Sequence, residues 1–336
     1  TALSSKFTYT GFNGVDVISI ISYADSDLGY GYDEDWAYEG ISDPSVNPDI
    51  DPDFAYWEYA STDHYFRDKQ VFTSEFRFLS SVGDNIFNNS TSWVAGLFFK
   101  QDNEDLLRQY TRHDKPSKSL GFTSTNERTI LAIYGQLDTQ LSQRLSLLSG
   151  LRIEDYTADY NNYDGVDTYI DDASDTMLGG KLVLNFQQTD NTLWYGSINR
   201  GYKAGGHNTD GTLPDDLRSF DPEYLMNYEL GYKVSLLDST AYVRTAIFYM
   251  DRDDMQVKSS KIIKEDNASE FISYLGNATS GSNYGAEIES AWQVTDAVNI
   301  YGSVGFLETE FNDFIDADGN SLTGAEQSHA PSYQFN

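Results

Sequence analysis

The chain has 336 residues, enough for one large domain or two ordinary ones, and it has no Cys, which excludes disulfide frameworks, thiolate metal sites and cysteine nucleophiles. Its 53 acidic and 22 basic residues give a formal net charge of −31, which argues against nucleic acid as a partner because nucleic-acid binders present basic surfaces to the phosphates. The mean hydropathy is −0.51 and no run reaches the length of a transmembrane helix, but membrane β-barrels also average to polar because their lipid-facing and lumen-facing residues alternate.

Apolar and polar residues alternate with a period of two along most of the chain, which predicts β-strands. The pattern is found in VFTSEFRFLS (71–80), TILAIYGQLD (129–138), RLSLLSGLRIEDY (144–156), KLVLNFQQ (181–188), FDPEYLMNYELGYKVSL (220–236) and YGAEIESAW (284–292). In the fifth segment Tyr228 and Leu230 share one face, while Glu229 and Lys233 share the other. Such strands need an apolar environment on one side and a wet one on the other.

The connections between these strands are asymmetric. Short turns are predicted at 12–14, 141–143, 188–191, 237–239 and 295–297, and long polar loops at 25–68, 103–125, 157–172, 204–222, 258–281 and 312–328. About thirteen strands, most of ten residues or more, with long loops on one rim and short turns on the other, are typical of an antiparallel transmembrane β-barrel. A soluble sandwich or propeller is the alternative, but those folds use shorter strands and have no consistent long-loop rim.

Several motifs in a fixed order resemble the barrel domain of TonB-dependent outer-membrane receptors, in particular the siderophore-receptor-like branch. They are SEFRFLS (74–80), WVAGLFF (93–99), YGQLDTQLSQRLSLLSGLRIEDY (134–156), LWYGSINRGYKAGG (193–206), FDPEYLMNYELGYKVSLL (220–237), RTAIFYMDRDDMQV (244–257), SNYGAEIESAW (282–292) and HAPSYQFN (329–336). The resemblance begins near Thr8 and continues almost to Asn336, so it covers nearly the whole chain.

The resemblance implies a barrel of about 22 strands, plugged by a separate N-terminal domain, in the outer membrane of a Gram-negative bacterium. Residues 1–336 would be the middle portion of that barrel, about thirteen strands, with the plug and terminal strands absent. Both chain ends look cut, which fits a fragment. We expect a transporter and no enzyme, without a cofactor. Its partners would be outer-membrane lipid, the TonB complex acting through the missing plug, and a small ligand such as a ferric siderophore.

Other cargoes and other functions remain open at this stage. Cobalamin, haem or an oligosaccharide could be taken up by the same mechanism. A passive porin would need no plug, and a soluble all-β carbohydrate-binding or adhesin module would need no membrane. The sequence contains no GxSxG, GxxxxGK[ST] or GxGxxG motif, and its four His residues are scattered without metal-ligand spacing, so it indicates neither a catalytic nor a metal site.

Candidate ligand contacts are predicted in the loops. Segment 25–68 has twelve acidic and ten aromatic residues between Asp25 and Phe66 and no Lys or Arg, and its aromatic rings could stack on a ligand. Its carboxylates could hold Ca²⁺, although a solvated acidic surface explains them as well. An anionic ferric chelate would be helped by basic residues around the mouth. The predicted contacts are Tyr30, Tyr32, Trp36, Tyr38, Tyr56, Trp57, Tyr59, Arg108, Arg112 and Lys203.

The polar faces of the strands predict a second set of residues that point into the lumen, where charges can stay hydrated and contact a plug. These residues are Glu75, Arg77, Arg152, Glu154, Glu229, Lys233, Glu287 and Glu289.

Overall fold

The computed structural model describes residues 1–33, 40–50, 60–113, 116, 120–208, 213–264, 267–316 and 319–336. Fifteen strands account for most of them: β1 (Ala2–Phe12), β2 (Val15–Asp33), β3 (Ser61–Ser80), β4 (Thr91–Arg112), β5 (Leu120–Ser142), β6 (Leu145–Tyr163), β7 (Thr168–Thr189), β8 (Thr192–Lys203), β9 (Gly206–His207), β10 (Ser219–Phe220), β11 (Glu223–Leu236), β12 (Ala241–Lys264), β13 (Asn267–Thr295), β14 (Val298–Asp313) and β15 (Tyr333–Phe335). The described residues also include a short helix, α1 (Ile86–Asn89), and a 3₁₀ turn (Asp215–Leu217). No helix in the described ranges is long and apolar enough to cross a membrane.

Thirteen of the strands form one antiparallel sheet, in the order β1-β2-β3-β4-β5-β6-β7-β8-β11-β12-β13-β14-β15. Each strand pairs with its neighbour along the chain except at β8, which pairs with β11 because β9 and β10 form a separate two-stranded ribbon. Among the described residues no ladder joins β1 to β15, so the barrel is not closed in this chain. The predicted all-β, antiparallel barrel architecture with about thirteen strands is confirmed.

The short connections lie at one end of the sheet, where the sequence predicts them. Residues 13–14, 143–144, 190–191, 237–240 and 296–297 join successive strands. At the first of these turns Gly14 adopts φ +77°, a left-handed conformation that costs glycine nothing because it has no Cβ. The three longest connections, 34–60, 204–222 and 314–332, lie at the other end, which also carries 113–119, 164–167 and 265–266, and residues 81–90 join β3 to β4 at the short-turn end. This asymmetry identifies the short-turn end as the periplasmic one and the opposite end as the extracellular one.

The segments predicted as long loops are largely strand. The pairing of β2 with β3 continues to Asp33–Thr62, and that of β4 with β5 to Tyr110–Leu120, well inside the predicted loops 25–68 and 103–125. The physical reason is that water wets both faces of a strand beyond the membrane. The period-two pattern then disappears from the sequence although the backbone hydrogen bonds continue.

Large apolar side chains are exposed on one face of the sheet, which marks the outer surface. Ile133 and Leu151 are 57% and 66% exposed, and Phe76 and Leu182 also lie on this face. These side chains form a zone across the wall that we call the apolar band. In water such a surface would be unfavourable, so it indicates contact with hydrocarbon. The residues of opposite parity point to the other side, which is the inner wall.

Candidate functional site

A network of hydrogen bonds crosses the inner wall at the level of the apolar band. Glu75 and Arg77 are two residues apart on β3 and so share a face. Arg77 Nη2 donates to Glu75 Oε2 over 2.7 Å, and Tyr134 on β5 donates its hydroxyl to Glu75 Oε1 over 2.5 Å. The Arg152 guanidinium carbon lies 5.9 Å from the centroid of the Tyr134 ring, so the network continues to β6.

The second half of the network repeats the same arrangement. Arg152 Nη2 donates to Glu154 Oε2 over 2.6 Å on β6. Tyr202, at the end of β8, donates to the same oxygen over 3.2 Å and accepts from Arg152 Nε over 3.1 Å. The guanidinium also lies 5.2 Å from the Phe98 ring centroid. We call the whole network the inner-wall belt: Glu75, Arg77, Phe98, Tyr134, Arg152, Glu154 and Tyr202.

The belt thus joins four of the eight predicted lumen-facing residues. The remaining four lie on β11 and β13: Glu229, Lys233, Glu287 and Glu289. Glu229 accepts a hydrogen bond from the Tyr195 hydroxyl over 2.5 Å, and Lys233 Nζ lies 4.9 Å from the centroid of the same ring. Glu289 Oε2 is 3.6 Å from Arg244 Nη1 on β12. These contacts position Glu229 and Glu289 against the wall and do not link them to the belt.

A second group of charged side chains on the inner wall was missed by the sequence analysis. We call it the cationic cluster; its members are Arg67, Lys69, Lys100, Asp102, Glu104 and Arg128. These residues have the parity opposite to that of the outward-facing Phe72, Leu97 and Leu131, which places them on the inner wall. The parity signal was present in the sequence, but it was masked because most of these positions fall in or beside segments interpreted as loops.

Three of the predicted ligand contacts come together at the extracellular side of this cluster. Tyr30 and Tyr32 on β2 stack on Tyr65 with ring centroids 5.1 and 6.4 Å apart. The Arg108 guanidinium lies 5.5 Å from the Tyr65 ring and donates to Asp63 Oδ2 from Nη2 over 2.8 Å. Burial raises the pKa of the Tyr65 hydroxyl, which lies beyond the apolar band. We call Tyr30, Tyr32, Tyr65 and Arg108 the aromatic ladder; it lies on strands rather than on the predicted loop.

The other predicted contacts are more dispersed. Arg112 is the last residue of β4, opposite Ser61, and Lys203 is the exposed last residue of β8, opposite Glu223. Five predicted aromatic contacts lie outside the described residues: Trp36, Tyr38, Tyr56, Trp57 and Tyr59. In the described ranges no group of three or more His, Asp or Glu side chains is arranged to hold a metal ion.

The connection from β8 to β11 folds over the extracellular end of the sheet. His207 is buried, and its ring is stacked on Tyr160 with centroids 5.3 Å apart; its Nε2 lies 3.3 Å from Asp171 Oδ2 on β7. The side chain of Asn208 donates to the carbonyl of Leu275 and accepts from its N–H, each over 2.8 Å. This segment is therefore anchored to β6, β7 and β13.

A sequence profile described as "TonB dependent receptor-like, beta-barrel" matches residues 2–336, almost the full chain. The chain belongs to the TonB-dependent receptor β-barrel family. Members of this family are receptors and transporters in the outer membrane of Gram-negative bacteria that bind ligands such as siderophores and engage TonB. The predicted family and the predicted outer-membrane location are therefore confirmed.

Relatives and solved structures agree with the family assignment. The pesticin receptors of Yersinia enterocolitica and Yersinia pestis are each 28% identical over 206 residues, which cover 60% of this chain and 28% of theirs. The ferric yersiniabactin uptake receptor FyuA from Yersinia pestis superimposes with a TM-score of 0.71 at 20% identity, over 99% of this chain and 45% of its own. The siderophore receptor PiuA from Acinetobacter baumannii gives 0.69 at 15% identity, over 99% and 51%. This TonB-dependent barrel therefore spans about half the length of the solved receptors it matches.

Proposed function

We propose that the complete receptor takes up a ferric siderophore across the outer membrane in a TonB-dependent manner. Support comes from the family assignment and from the names of its relatives, which include uptake receptors for ferric yersiniabactin and ferric catecholates. The observation that carries the proposal is the two-sided wall: exposed apolar side chains outside, and ion-paired, hydrogen-bonded side chains inside. A wall of this kind separates lipid from a hydrated lumen.

In this proposal residues 1–336 form part of the barrel, and a plug domain encoded elsewhere in the gene fills the lumen. The belt and the acidic residues of β11 and β13 would contact that plug. Glu75, Glu229 and Glu289 are already held by Tyr or Arg partners, so they would present a defined pattern of charge to the plug surface. The barrel has no catalytic step in this function; it serves as scaffold and recognition surface.

The ligand contacts that we propose combine the aromatic ladder with Arg112, Lys203 and the aromatic residues of the 25–68 segment. Rigid aromatic rings next to a guanidinium offer stacking surface and a charge to a chelate. The copper transporter OprC also superimposes, with a TM-score of 0.64 at 13% identity, which shows that this fold is compatible with another cargo. Cobalamin, haem and oligosaccharides are further candidates for the same site.

Deletion of the full gene in its native host provides the test. Under iron limitation the deletion strain should lose growth on one ferric siderophore supplied as the sole iron source, and a plasmid copy should restore it. A TonB-defective strain should show the same loss, because energised uptake requires TonB. Normal growth of the deletion strain on every ferric chelate, together with reduced uptake of copper, cobalamin, haem or a sugar, would contradict the iron assignment.

A further inference from the structure

The cationic cluster contains more positive charge than its own carboxylates neutralise. Asp102 is shared by three cations: Oδ2 lies 2.9 Å from Lys100 Nζ, and Oδ1 lies 3.0 Å from Arg128 Nη2 and 3.3 Å from Lys69 Nζ. The Asp102 side chain is only 6% exposed. A buried carboxylate surrounded in this way holds its partners in fixed positions.

The second carboxylate has the same role. Glu104 Oε1 lies 3.0 Å from Arg67 Nη1, and its Oε2 lies 3.5 Å from Arg128 Nη2 and 3.6 Å from Lys69 Nζ. The four cationic side chains are between 28% and 38% exposed, whereas the two carboxylates are 6% and 13% exposed. The anions are therefore covered and the cations line the surface, with an excess of two positive charges.

The net positive charge of the cluster is opposite in sign to that of the chain, which carries a net charge of −31. The acidic surface around the mouth repels an anion at long range, but salt screens that repulsion beyond roughly 8 Å. A positive surface inside the wall acts at contact, where screening is weak. The cluster is therefore suited to hold an anion that has already entered.

The cluster lies on the path of a ligand that enters from outside. On β3, Lys69 follows Tyr65 of the aromatic ladder by four residues and precedes Glu75 of the belt by six. At about 3.4 Å per residue, Lys69 lies roughly 14 Å along the strand from the ladder and roughly 20 Å from Glu75, whereas Lys100 on β4 is only two residues, roughly 7 Å, from Phe98 of the belt. It thus lies between the mouth and the level at which we place the plug contacts.

We propose that the cationic cluster binds a ferric chelate of net negative charge, which is the charge class that the receptor transports. This inference rests on the proposed uptake function and narrows its cargo. The exposed ammonium and guanidinium groups would donate hydrogen bonds to anionic oxygens at the periphery of the chelate. A neutral or cationic chelate would gain no attraction from the two excess positive charges.

The test is equilibrium binding to the purified full-length receptor, with a trianionic ferric tris-catecholate and a monocationic ferric trihydroxamate as probes. The variant Lys69→Gln/Lys100→Gln removes the charge excess and still leaves Asp102 with Arg128 and Glu104 with Arg67. The matched control, Lys6→Gln/Arg144→Gln, removes two exposed positive charges outside the cluster. If the double cluster variant fails to assemble, Lys100→Gln alone is the substitute.

For the cluster variant we expect the Kd of the anionic probe to rise about tenfold or more, since a hydrogen bond to a charged group contributes about 1.5–3 kcal/mol. Binding of the cationic probe to the cluster variant, and binding of both probes to the control, should stay unchanged.

Unchanged binding of the anionic probe would overturn the inference. Equal weakening of both probes would also overturn it, because that result would indicate that the cluster holds the plug. Preference of the wild type for the cationic chelate would overturn it and leave the uptake function standing. Failure to bind or transport any ferric chelate would overturn both.

Discussion

At the scale of single residues, the pair of Asp63 and Arg108 shows how the inner wall fixes a charge. The Asp63 side chain has no exposed surface and receives hydrogen bonds from Arg108 Nε, Arg108 Nη2 and the Tyr65 hydroxyl. A carboxylate enclosed in this way depends on its partners, because removal of one leaves a desolvated charge. The same contacts orient the guanidinium towards the rings of Tyr65 and Phe122.

Substitution of Arg108 by Met should therefore destabilise the extracellular ends of β3 and β4 by about 3 kcal/mol, since breaking a buried ion pair costs about 3–5 kcal/mol and the guanidinium is partly exposed. Amide hydrogen exchange in the full-length receptor would measure the loss at residues 61–66. The double variant Asp63→Asn/Arg108→Met should recover part of it. Equal exchange rates in wild type and Arg108→Met would show that the pair is not needed for local stability.

The residues of the candidate site were predictable to different degrees. Strand parity alone selected Glu75, Arg77, Arg152 and Glu154, which the structure joins in one network. Composition selected Tyr30 and Arg108 but gave no reason to bring them together, since each contacts Tyr65 and both contacts depend on the register between β2, β3 and β4. Register is set by turn geometry and by side-chain pairing across strands, and a single sequence records neither directly.

At the scale of single strands, β5 shows two environments along its length. Its outward residues Leu131 and Ile133 are strongly exposed and apolar, whereas Thr123, Thr125 and Glu127 continue the same face towards the extracellular end. The change from apolar to polar marks the point at which the strand leaves the hydrocarbon. The short turns were predictable because turn residues interrupt a clear alternation of apolar and polar residues there. The extracellular ends of the strands were not predictable, since the alternation stops before the strand does.

Arginine substitutions on β5 should separate the two environments. Ile133→Arg should lower the stability of the membrane-inserted barrel by about 2–4 kcal/mol, while Thr125→Arg, on the same face, should change it by about 1 kcal/mol or less. Folding equilibria of the full-length receptor in lipid vesicles would give both values. Similar costs at the two positions would contradict the placement of the apolar band.

At the scale of the whole molecule, the orientation in the membrane follows from the two kinds of connection. The turn at residues 164–167 lies at the end of the sheet that we assign to the cell exterior, and the turn at 190–191 lies at the opposite end. Residues 1–336 contain no Cys, so a Cys introduced at either end of the sheet is the only thiol of this segment.

Val166→Cys should react with a membrane-impermeant maleimide in intact cells, because Val166 is 83% exposed at the outer rim. Asp190→Cys should react only after the outer membrane is permeabilised. The unmodified receptor, which lacks thiols within this barrel segment, gives the background. Labelling of Asp190→Cys in intact cells, with protection of Val166→Cys, would reverse the assigned orientation.

The length of the strands determines how far the receptor stands above the lipid. Strands β4 and β7 have 22 residues each, and at about 3.3 Å per residue with a tilt of about 40° they reach a height of about 55 Å. The hydrocarbon layer needs only about 25 Å of that height. The remaining length of these strands continues the wall beyond the hydrocarbon, so a large protein approaching the cell could touch the rim without meeting the bilayer.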